Sequence, residues 1–213
     1  MATYDLDEQE QLDALKAWWK RWGSVAMLAL AVVVAAAAGW RYWQTRTLTQ
    51  NLEAAAVYQK LTQSLAGNDA KGAREAGAML IDQYQDTAYA PRAALLLAKL
   101  NAIGKDLKSA QTQLEWAAAH SKEPAVKDLA RLRLAGVQLD QKQYDAALKT
   151  LDGAHSDAFA FRFHDLKGDV LLAQGKQADA RAAYQTAFGK MTEDNPYRSI
   201  VELKLDALGG QVK

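Results

Sequence analysis

One segment near the start of the chain is apolar without interruption, whereas the rest alternates apolar and polar positions. The residues from Trp22 to Trp40 form a run of 19 without a charged side chain. A helix of that length spans about 28 Å at about 1.5 Å per residue, which matches the hydrocarbon thickness of a bilayer. The run therefore predicts a single transmembrane helix over residues 21–43.

Tryptophan and basic residues flank both ends of this run, where aromatic rings and long cationic side chains reach the head groups. The predicted interface anchors are Lys20, Arg21, Trp22, Trp40, Arg41, Tyr42 and Trp43. A cleaved signal peptide is the alternative, because three alanines (36–38) before Gly39 offer a cleavage site. The long acidic leader and the length of the apolar run favour a retained anchor.

Basic residues do not decide which side of the membrane each flank occupies. Three precede the run and three follow it within about 20 residues. The two sets are Lys16, Lys20 and Arg21, and then Arg41, Arg46 and Lys60. The charge count is therefore a tie, and it leaves the orientation open.

From about Leu48 onward, apolar residues recur every three or four positions, which predicts one helix after another. The predicted helices are Leu52–Leu65, Ala73–Tyr84, Ala93–Ile103, Leu107–Ala118, Val126–Leu139, Tyr144–Leu151, Phe161–Ala173, Ala178–Phe188 and Tyr197–Leu208. The short gaps between them contain Gly, Asn and Asp, and each of the three prolines lies where a helix can begin. We therefore expect an all-α fold.

The later helices repeat one arrangement of small and bulky residues. A small residue is followed by alanine at a spacing of 12, a bulky residue at 16 and a small residue at 19. The three copies are Ala98, Ala110, Leu114 and Ala117; Ala135, Ala147, Leu151 and Ala154; and Gly168, Ala180, Tyr184 and Ala187. In such a repeat the small residues let two helices of a hairpin approach, and the bulky residue fills the gap to the next hairpin.

This spacing resembles the tetratricopeptide repeat and predicts an α-solenoid over residues 44–208, followed by a short tail, 209–213. A generic alanine-rich bundle is the alternative. The first hairpin, about residues 49–84, fits only through its helical pattern.

Composition narrows the possible functions. The chain has 26 Lys and Arg against 25 Asp and Glu, so no overall positive charge favours nucleic acid. Cysteine is absent, which removes disulfides and cysteine metal sites. His120, His155 and His164 have no metal-binding spacing, and no glycine-rich phosphate loop is present. We therefore predict neither catalysis nor a metal or other cofactor.

The remaining candidate for a functional site is a binding surface on the helical repeats. Repeats of this kind present a groove formed by the first helix of each hairpin, and basic groove residues can hold a carboxylate or an acidic peptide. The groove residues predicted from the register are Arg92, Leu95, Lys99, Leu132, Leu139, Arg162, Asp165, Asp169 and Leu172. An ordinary solvated face is the alternative. Phe159, Phe161 and Phe163 alternate at a spacing of two, which indicates either a helix entrance packed into the core or an exposed patch.

The apolar run, its flanking residues and the repeat together resemble a family, the YfgM-like ancillary subunits of the bacterial SecYEG translocon. The most specific part is Gly39-Trp40-Arg41-Tyr42-Trp43, and the segments 132–135, 146–152 and 168–184 also look like that family. The resemblance implies an inner-membrane protein with a single transmembrane helix. Its acidic tail, residues 1–20, would be cytoplasmic, and its helical domain would be periplasmic.

The resemblance also implies docking at the Sec translocon beside a membrane-anchored periplasmic prolyl isomerase with chaperone activity. The domain would then help to pass exported polypeptides to periplasmic folding factors. A different hypothesis is an envelope-stress signalling adaptor, in which the acidic tail (residues 5–13) binds a cytoplasmic regulator. A periplasmic enzyme is the third and weakest hypothesis.

Overall fold

The computed structural model describes residues 4–209, with side chains from residue 10 onward. This part of the chain forms nine α-helices and no strand. They are α1 (Tyr4–Ala66), α2 (Ala70–Gln83), α3 (Tyr89–Ile103), α4 (Leu107–His120), α5 (Pro124–Asp140), α6 (Tyr144–Leu151), α7 (Asp157–Ala173), α8 (Gln177–Gly189) and α9 (Arg198–Ala207). The all-α prediction is confirmed. The acidic side chains before residue 10 and the end of the tail, 210–213, lie outside the described residues.

Helix α1 is longer than the sequence pattern predicts. The apolar segment and the first helix of the following domain form one unbroken element, Tyr4–Ala66. An 18-residue window of this helix has a mean hydropathy of 2.0 and is 6% buried, so it is long and apolar enough to cross a bilayer. All seven predicted interface anchors are exposed along it. The chain divides into two compact units between Gln50 and Asn51, and the second unit contains the helical hairpins.

Four turns of nearly identical geometry fix the hairpins. A residue with positive φ follows each first helix, at Asn68, Lys105, Lys142 and Gly175, which lie 37, 37 and 33 residues apart. The next N–H then bonds back to the carbonyl five residues earlier, as from Asp106 to Asn101 at 2.9 Å. This is the Schellman arrangement, which ends a helix and reverses the chain within a few residues. The recurrence of the turn defines the repeat independently of side-chain size.

The positions of the turns show that the first hairpin belongs to the same repeat, although its residue sizes do not follow the pattern. Leu61, Ala73, Gly77 and Leu80 have the same spacing of 12, 16 and 19, and all four are buried. The sizes are exchanged, because the first position is bulky and the third is glycine. A Cβ on Gly77 would lie 2.6 Å from Leu97 Cδ1, so a leucine from the next hairpin fills the space. The domain therefore contains four hairpins in one register, completed by α9.

The twelve predicted packing residues are buried except one. Ala154 is exposed, because α6 has only 8 residues and ends at Leu151. Asp152 and Gly153 follow Leu151 directly, and both residue types favour the end of a helix. The carbonyl of Ala154 instead accepts a hydrogen bond from Arg131 at 2.6 Å. The prediction that Ala154 packs between helices is wrong.

Four apolar clusters follow one another along the domain, and each contains residues of three consecutive helices. The second cluster, for example, joins Ala98 of α3, Leu114 of α4 and Leu134 of α5. The last joins Tyr184 of α8 to Val201 and Leu205 of α9. Each hairpin thus contacts its neighbours in sequence, as in a solenoid. Helix α9 covers the apolar face of the last hairpin.

The closest contact between small and bulky residues is within one hairpin, where Tyr184 lies against Gly168. A Cβ on Gly168 would lie 2.5 Å from Tyr184 Cδ1, whereas a Cβ on Gly136 would meet nothing within 4 Å. The bulky position therefore packs on its own hairpin and also reaches α9, rather than only bridging to the next hairpin.

These two helical glycines provide a matched pair of alanine substitutions. Gly168→Ala should lower the free energy of unfolding by about 1–3 kcal/mol, because the tyrosine must move. Gly136→Ala should raise it by about 0.5–1 kcal/mol through helix propensity alone. Chemical denaturation of the full chain in detergent, followed by circular dichroism, checks both. Equal effects of the two substitutions would contradict the packing described above.

Candidate interaction groove

The first helices of successive hairpins carry the predicted groove residues, and the structure gives these residues different surroundings. Arg92 donates to Glu123 at 2.7 Å, so its charge is paired across the start of α5. Lys99 and Leu172 are exposed. Leu132 and Leu139 are half-buried against the core beneath α5. Each of these residues therefore lies on the expected helix, but only some of their side chains are exposed and without an ion-pair partner among the described residues.

The prediction that Leu95 faces the groove is wrong. Its side chain is 5% exposed and belongs to the cluster beneath α3 and α4, so it is not available to a ligand. The groove register assigns Leu95 an exposed position, but its side chain packs in the cluster that contains Ala94, Ala98 and Leu114. Its contribution is to stability.

The remaining predicted groove residues, Arg162, Asp165 and Asp169, meet Leu132 in one cleft, which we call the C-terminal cleft. It has a volume of about 220 Å³ and lies between α5, α7 and α9. Its lining comprises Leu132, Phe161, Arg162, Asp165, Leu166, Asp169, Met191, Tyr197, Ile200 and Val201. Leu132, Arg162, Asp165 and Asp169 were predicted from the sequence, and the structure brings them together.

Arg162 lies over two aromatic rings that also line the C-terminal cleft. Its guanidinium carbon is 4.7 Å from the ring centroid of Tyr197 and 5.6 Å from that of Phe161. The two rings are 6.3 Å apart. Such cation–π contacts hold the guanidinium in place while its donors stay accessible. Tyr197 is 44% exposed, so the aromatic surface is open to a partner.

A charged network closes the inner wall of the same cleft. The ammonium of Lys204 in α9 lies 2.8 Å from Asp165 and 2.7 Å from Asp169, both in α7. Asp169 also accepts a hydrogen bond from the hydroxyl of Tyr184 at 2.8 Å. The three charged side chains are 26–32% exposed. This network fixes α9 to the last hairpin and thereby shapes the cleft.

Burial and charge shift the pKa values of this network. Burial raises the pKa of Asp165, which Lys204 opposes and the nearby Asp169 reinforces. Burial tends to lower the pKa of Lys204, but its hydrogen bonds to the two carboxylates outweigh this, so its pKa is raised. Burial, with the hydrogen bond to Asp169, raises the pKa of the Tyr184 hydroxyl. Lysine and tyrosine thus hold their protons more firmly in the folded state.

The sequence reasoning missed Lys204 and Tyr197, because both belong to the segment after the last hairpin. That segment follows a loop and does not repeat the pattern of small and bulky residues. The one sequence feature that could have indicated Lys204 is its place as a basic residue among apolar residues at helical spacing in Tyr197–Leu208. The alternation of Phe159, Phe161 and Phe163 has a mixed explanation, since Phe163 is buried and Phe161 lines the C-terminal cleft.

The histidines have ordinary structural surroundings. His120 stacks on Trp116 at 4.3 Å, and its Nδ1 lies 2.9 Å from the carbonyl of that tryptophan. His155 packs on Phe163 at 4.4 Å. Burial lowers the pKa of His164, and His155 contributes to the same direction. Among the described residues no group of three or more His, Asp or Glu is arranged to hold a metal ion.

The fold and groove define the class of the protein, a helical-repeat protein with an N-terminal apolar helix. A family model described as a tetratricopeptide repeat-like domain matches residues 16–210. The match begins within α1 and covers all four hairpins. It confirms the tetratricopeptide-like architecture predicted from the spacing of small and bulky residues.

Similar proteins extend over nearly the whole chain. A protein of Neisseria gonorrhoeae, named ancillary SecYEG translocon subunit, is 32% identical over 95% of this chain and 98% of its own length. Proteins with the same name from Haemophilus influenzae and Escherichia coli are 31% and 29% identical, over 87% and 98% of this chain and 90% and 99% of theirs. The chain belongs to the family of ancillary SecYEG translocon subunits.

The charged network predicts a loss of stability at alkaline pH. The folded pKa values of Lys204 and Tyr184 lie above their ordinary values of 10.5 and 10.0. The unfolded chain therefore releases these protons first, so the free energy of unfolding falls as the pH rises above about 10. Tyr184→Phe removes one of the two groups and should make this fall less steep.

Denaturation of the wild-type chain and Tyr184→Phe at several pH values between about 8 and 11 measures the two slopes. Tyr144→Phe is the control, because that tyrosine lies outside the network in α6. A wild-type slope that Tyr184→Phe leaves unchanged, or that Tyr144→Phe changes equally, would exclude the network as its source.

Proposed function

We propose that this chain is a non-catalytic inner-membrane protein that associates with the Sec translocon and helps to hand exported polypeptides to periplasmic chaperones. The observation that carries the proposal is the extent of the similarity. A protein named ancillary SecYEG translocon subunit aligns over 95% of this chain, so the apolar helix and the repeat domain are shared together. A partner of the domain is then a membrane-anchored periplasmic prolyl isomerase with chaperone activity.

The groove supports an interaction role. Its C-terminal cleft combines exposed aromatic surface with a guanidinium held in place by Phe161 and Tyr197. Arginine and tyrosine are the residue types that contribute most often to the energy of protein interfaces. A cleft of this size and openness suits a contact of modest affinity, and attachment to the membrane raises the effective concentration of a partner there.

The proposed topology places the acidic tail in the cytoplasm and the helical domain in the periplasm. The basic residues on the two sides of the apolar run are equal in number, so this orientation is taken from the family resemblance. If all members of the family share this orientation, the groove of this chain faces partners on the periplasmic side of the inner membrane.

Single cysteines test the orientation, because the natural chain contains none. Lys122→Cys in the domain and Gln11→Cys near the start both replace exposed residues. A membrane-impermeant maleimide should label only Lys122→Cys in cells with a permeable outer membrane, and both variants after lysis. Labelling of Gln11→Cys before lysis would show the opposite orientation.

Partner capture tests the association itself. The full chain, extracted in mild detergent, should co-purify with SecYEG subunits. A photoreactive residue at Ile200, which is 48% exposed in the C-terminal cleft, should crosslink to an export component or an exported polypeptide. Gln185, exposed on α8, is the control position and should crosslink much less.

A variant that lacks residues 1–15 distinguishes the signalling adaptor. The translocon association should survive this deletion. Loss of a stress response by the truncated variant, together with an absence of SecYEG subunits from purified full-length protein, would favour the adaptor over the export role.

A further inference from the structure

A second cleft opens at the centre of the domain, between α3 and α5, with α4 as its floor. We call it the Gly136 cleft, and its volume is about 410 Å³. The residues that line it are Ala98, Lys99, Ala102, Leu114, Arg133, Gly136, Val137 and Asp140. Of these, only Lys99 belongs to the groove residues predicted from the sequence.

The cleft exists because small residues stand where a side chain would otherwise fill the space. Ala98 and Ala102 form one wall, and Leu114 forms an apolar floor that is 1% exposed. On the opposite wall, a Cβ on Gly136 would meet nothing within 4 Å. Glycine in a helix interior costs about 0.5–1 kcal/mol relative to alanine. No turn, close helix approach or positive φ requires glycine at this position.

The register shows what is missing from the centre of the groove. The turns place Gly136 at the position occupied by Lys99 in α3 and by Asp169 in α7. Charged side chains therefore stand at this level on both neighbouring first helices, while α5 has no side chain there. Towards either end, α5 presents the half-buried leucines Leu132 and Leu139. The centre of the groove is thus an apolar recess between charged flanks.

The rim of the recess carries both signs of charge. Lys99, Arg133 and Asp140 are exposed, and none of them forms an ion pair with another described residue. A lipid acyl chain offers no partner to any of these charges, and a nucleic acid offers no cationic partner to Asp140. An extended polypeptide offers backbone donors and acceptors, together with side chains of either sign. The rim therefore matches a peptide segment better than either alternative.

We propose that the Gly136 cleft receives one bulky apolar side chain of an extended polypeptide segment that lies along the groove. The apolar floor of alanine, valine and leucine takes the side chain, while Lys99, Arg133 and Asp140 contact the polar groups that flank it. This inference rests on the proposed function and names its substrate class, an unfolded segment with an exposed large apolar residue. The absence of a side chain at position 136 keeps the recess open.

Filling the recess tests the proposal without disturbing the core. Gly136→Phe places a ring in the space that the bound side chain would use, and the open surroundings of its Cβ allow the helix to form. Gly136→Ala is the matched control, because it improves helix propensity and leaves most of the recess empty. Thermal unfolding of both variants verifies that the domain remains folded.

The probe is a short fluorescein-labelled peptide of glycine, serine, lysine and glutamate with one central phenylalanine, and a second peptide has alanine at that position. Fluorescence anisotropy measures the binding of each peptide to the full-length chain in lipid nanodiscs. Gly136→Phe should weaken binding of the phenylalanine peptide about tenfold or more, the factor expected from losing the burial of one large apolar side chain. Gly136→Ala should change it less than about threefold, since one methyl group removes little of the recess.

The double comparison isolates the recess. Replacing phenylalanine by alanine in the peptide should weaken binding to the wild type, but should have little further effect on Gly136→Phe, because the two changes remove the same contact. Equal binding of the phenylalanine peptide by wild type and Gly136→Phe would overturn the proposal. So would wild-type binding that does not distinguish the two peptides. Co-purification of the wild-type chain with SecYEG subunits is measured separately. Its absence would contradict the proposed function, whereas the peptide-binding comparison tests the recess.

Discussion

The domain depends on how closely the two helices of a hairpin can approach. In the last hairpin this condition is most severe, because Tyr184 occupies the space that a Cβ on Gly168 would need. The first hairpin has the sizes exchanged, and its close contact is with the next hairpin, because Gly77 of α2 lies against Leu97 of α3. Close approach of the helices, together with the repeated Schellman turns, fixes which residues face the core. The same register also fixes which residues face the groove.

The groove follows from this register but is not uniform along the domain. At the level of Gly136, α3 carries Lys99, α5 has no side chain and α7 carries Asp169, so charged residues flank an open centre. Further along, Lys204 crosses from α9 to two carboxylates of α7 and encloses the C-terminal cleft. Arg162 remains accessible there because aromatic rings rather than carboxylates hold it. The two clefts therefore differ in chemistry, with an apolar recess at the centre and aromatic and cationic groups at the end.

Much of this could be predicted from the sequence, for identifiable reasons. The uncharged run between Trp22 and Trp40 and the spacing of Ala98, Ala110 and Leu114 depend on local pattern, and both were interpreted correctly. Ala154 was misassigned because the repeat spacing continues past the point where α6 ends. Leu95 was misassigned because the repeat register alone does not show whether a side chain faces the groove or packs into the core. Lys204 and the Gly136 cleft required the structure, since each depends on residues far apart in the chain.

The apolar helix and the repeat domain belong to one continuous chain, and the proposed function assigns anchoring to the helix and partner contacts to the domain. The alignments with two similar proteins span 95% and 98% of this chain and so extend over both elements. The most direct measurement of the anchoring is mass spectrometry of the protein from alkaline-washed inner membranes. Retention of the intact polypeptide, beginning before Trp22, in the membrane fraction is the expected result. Recovery of a shortened polypeptide in the soluble fraction, beginning at or after Gly39, would contradict it.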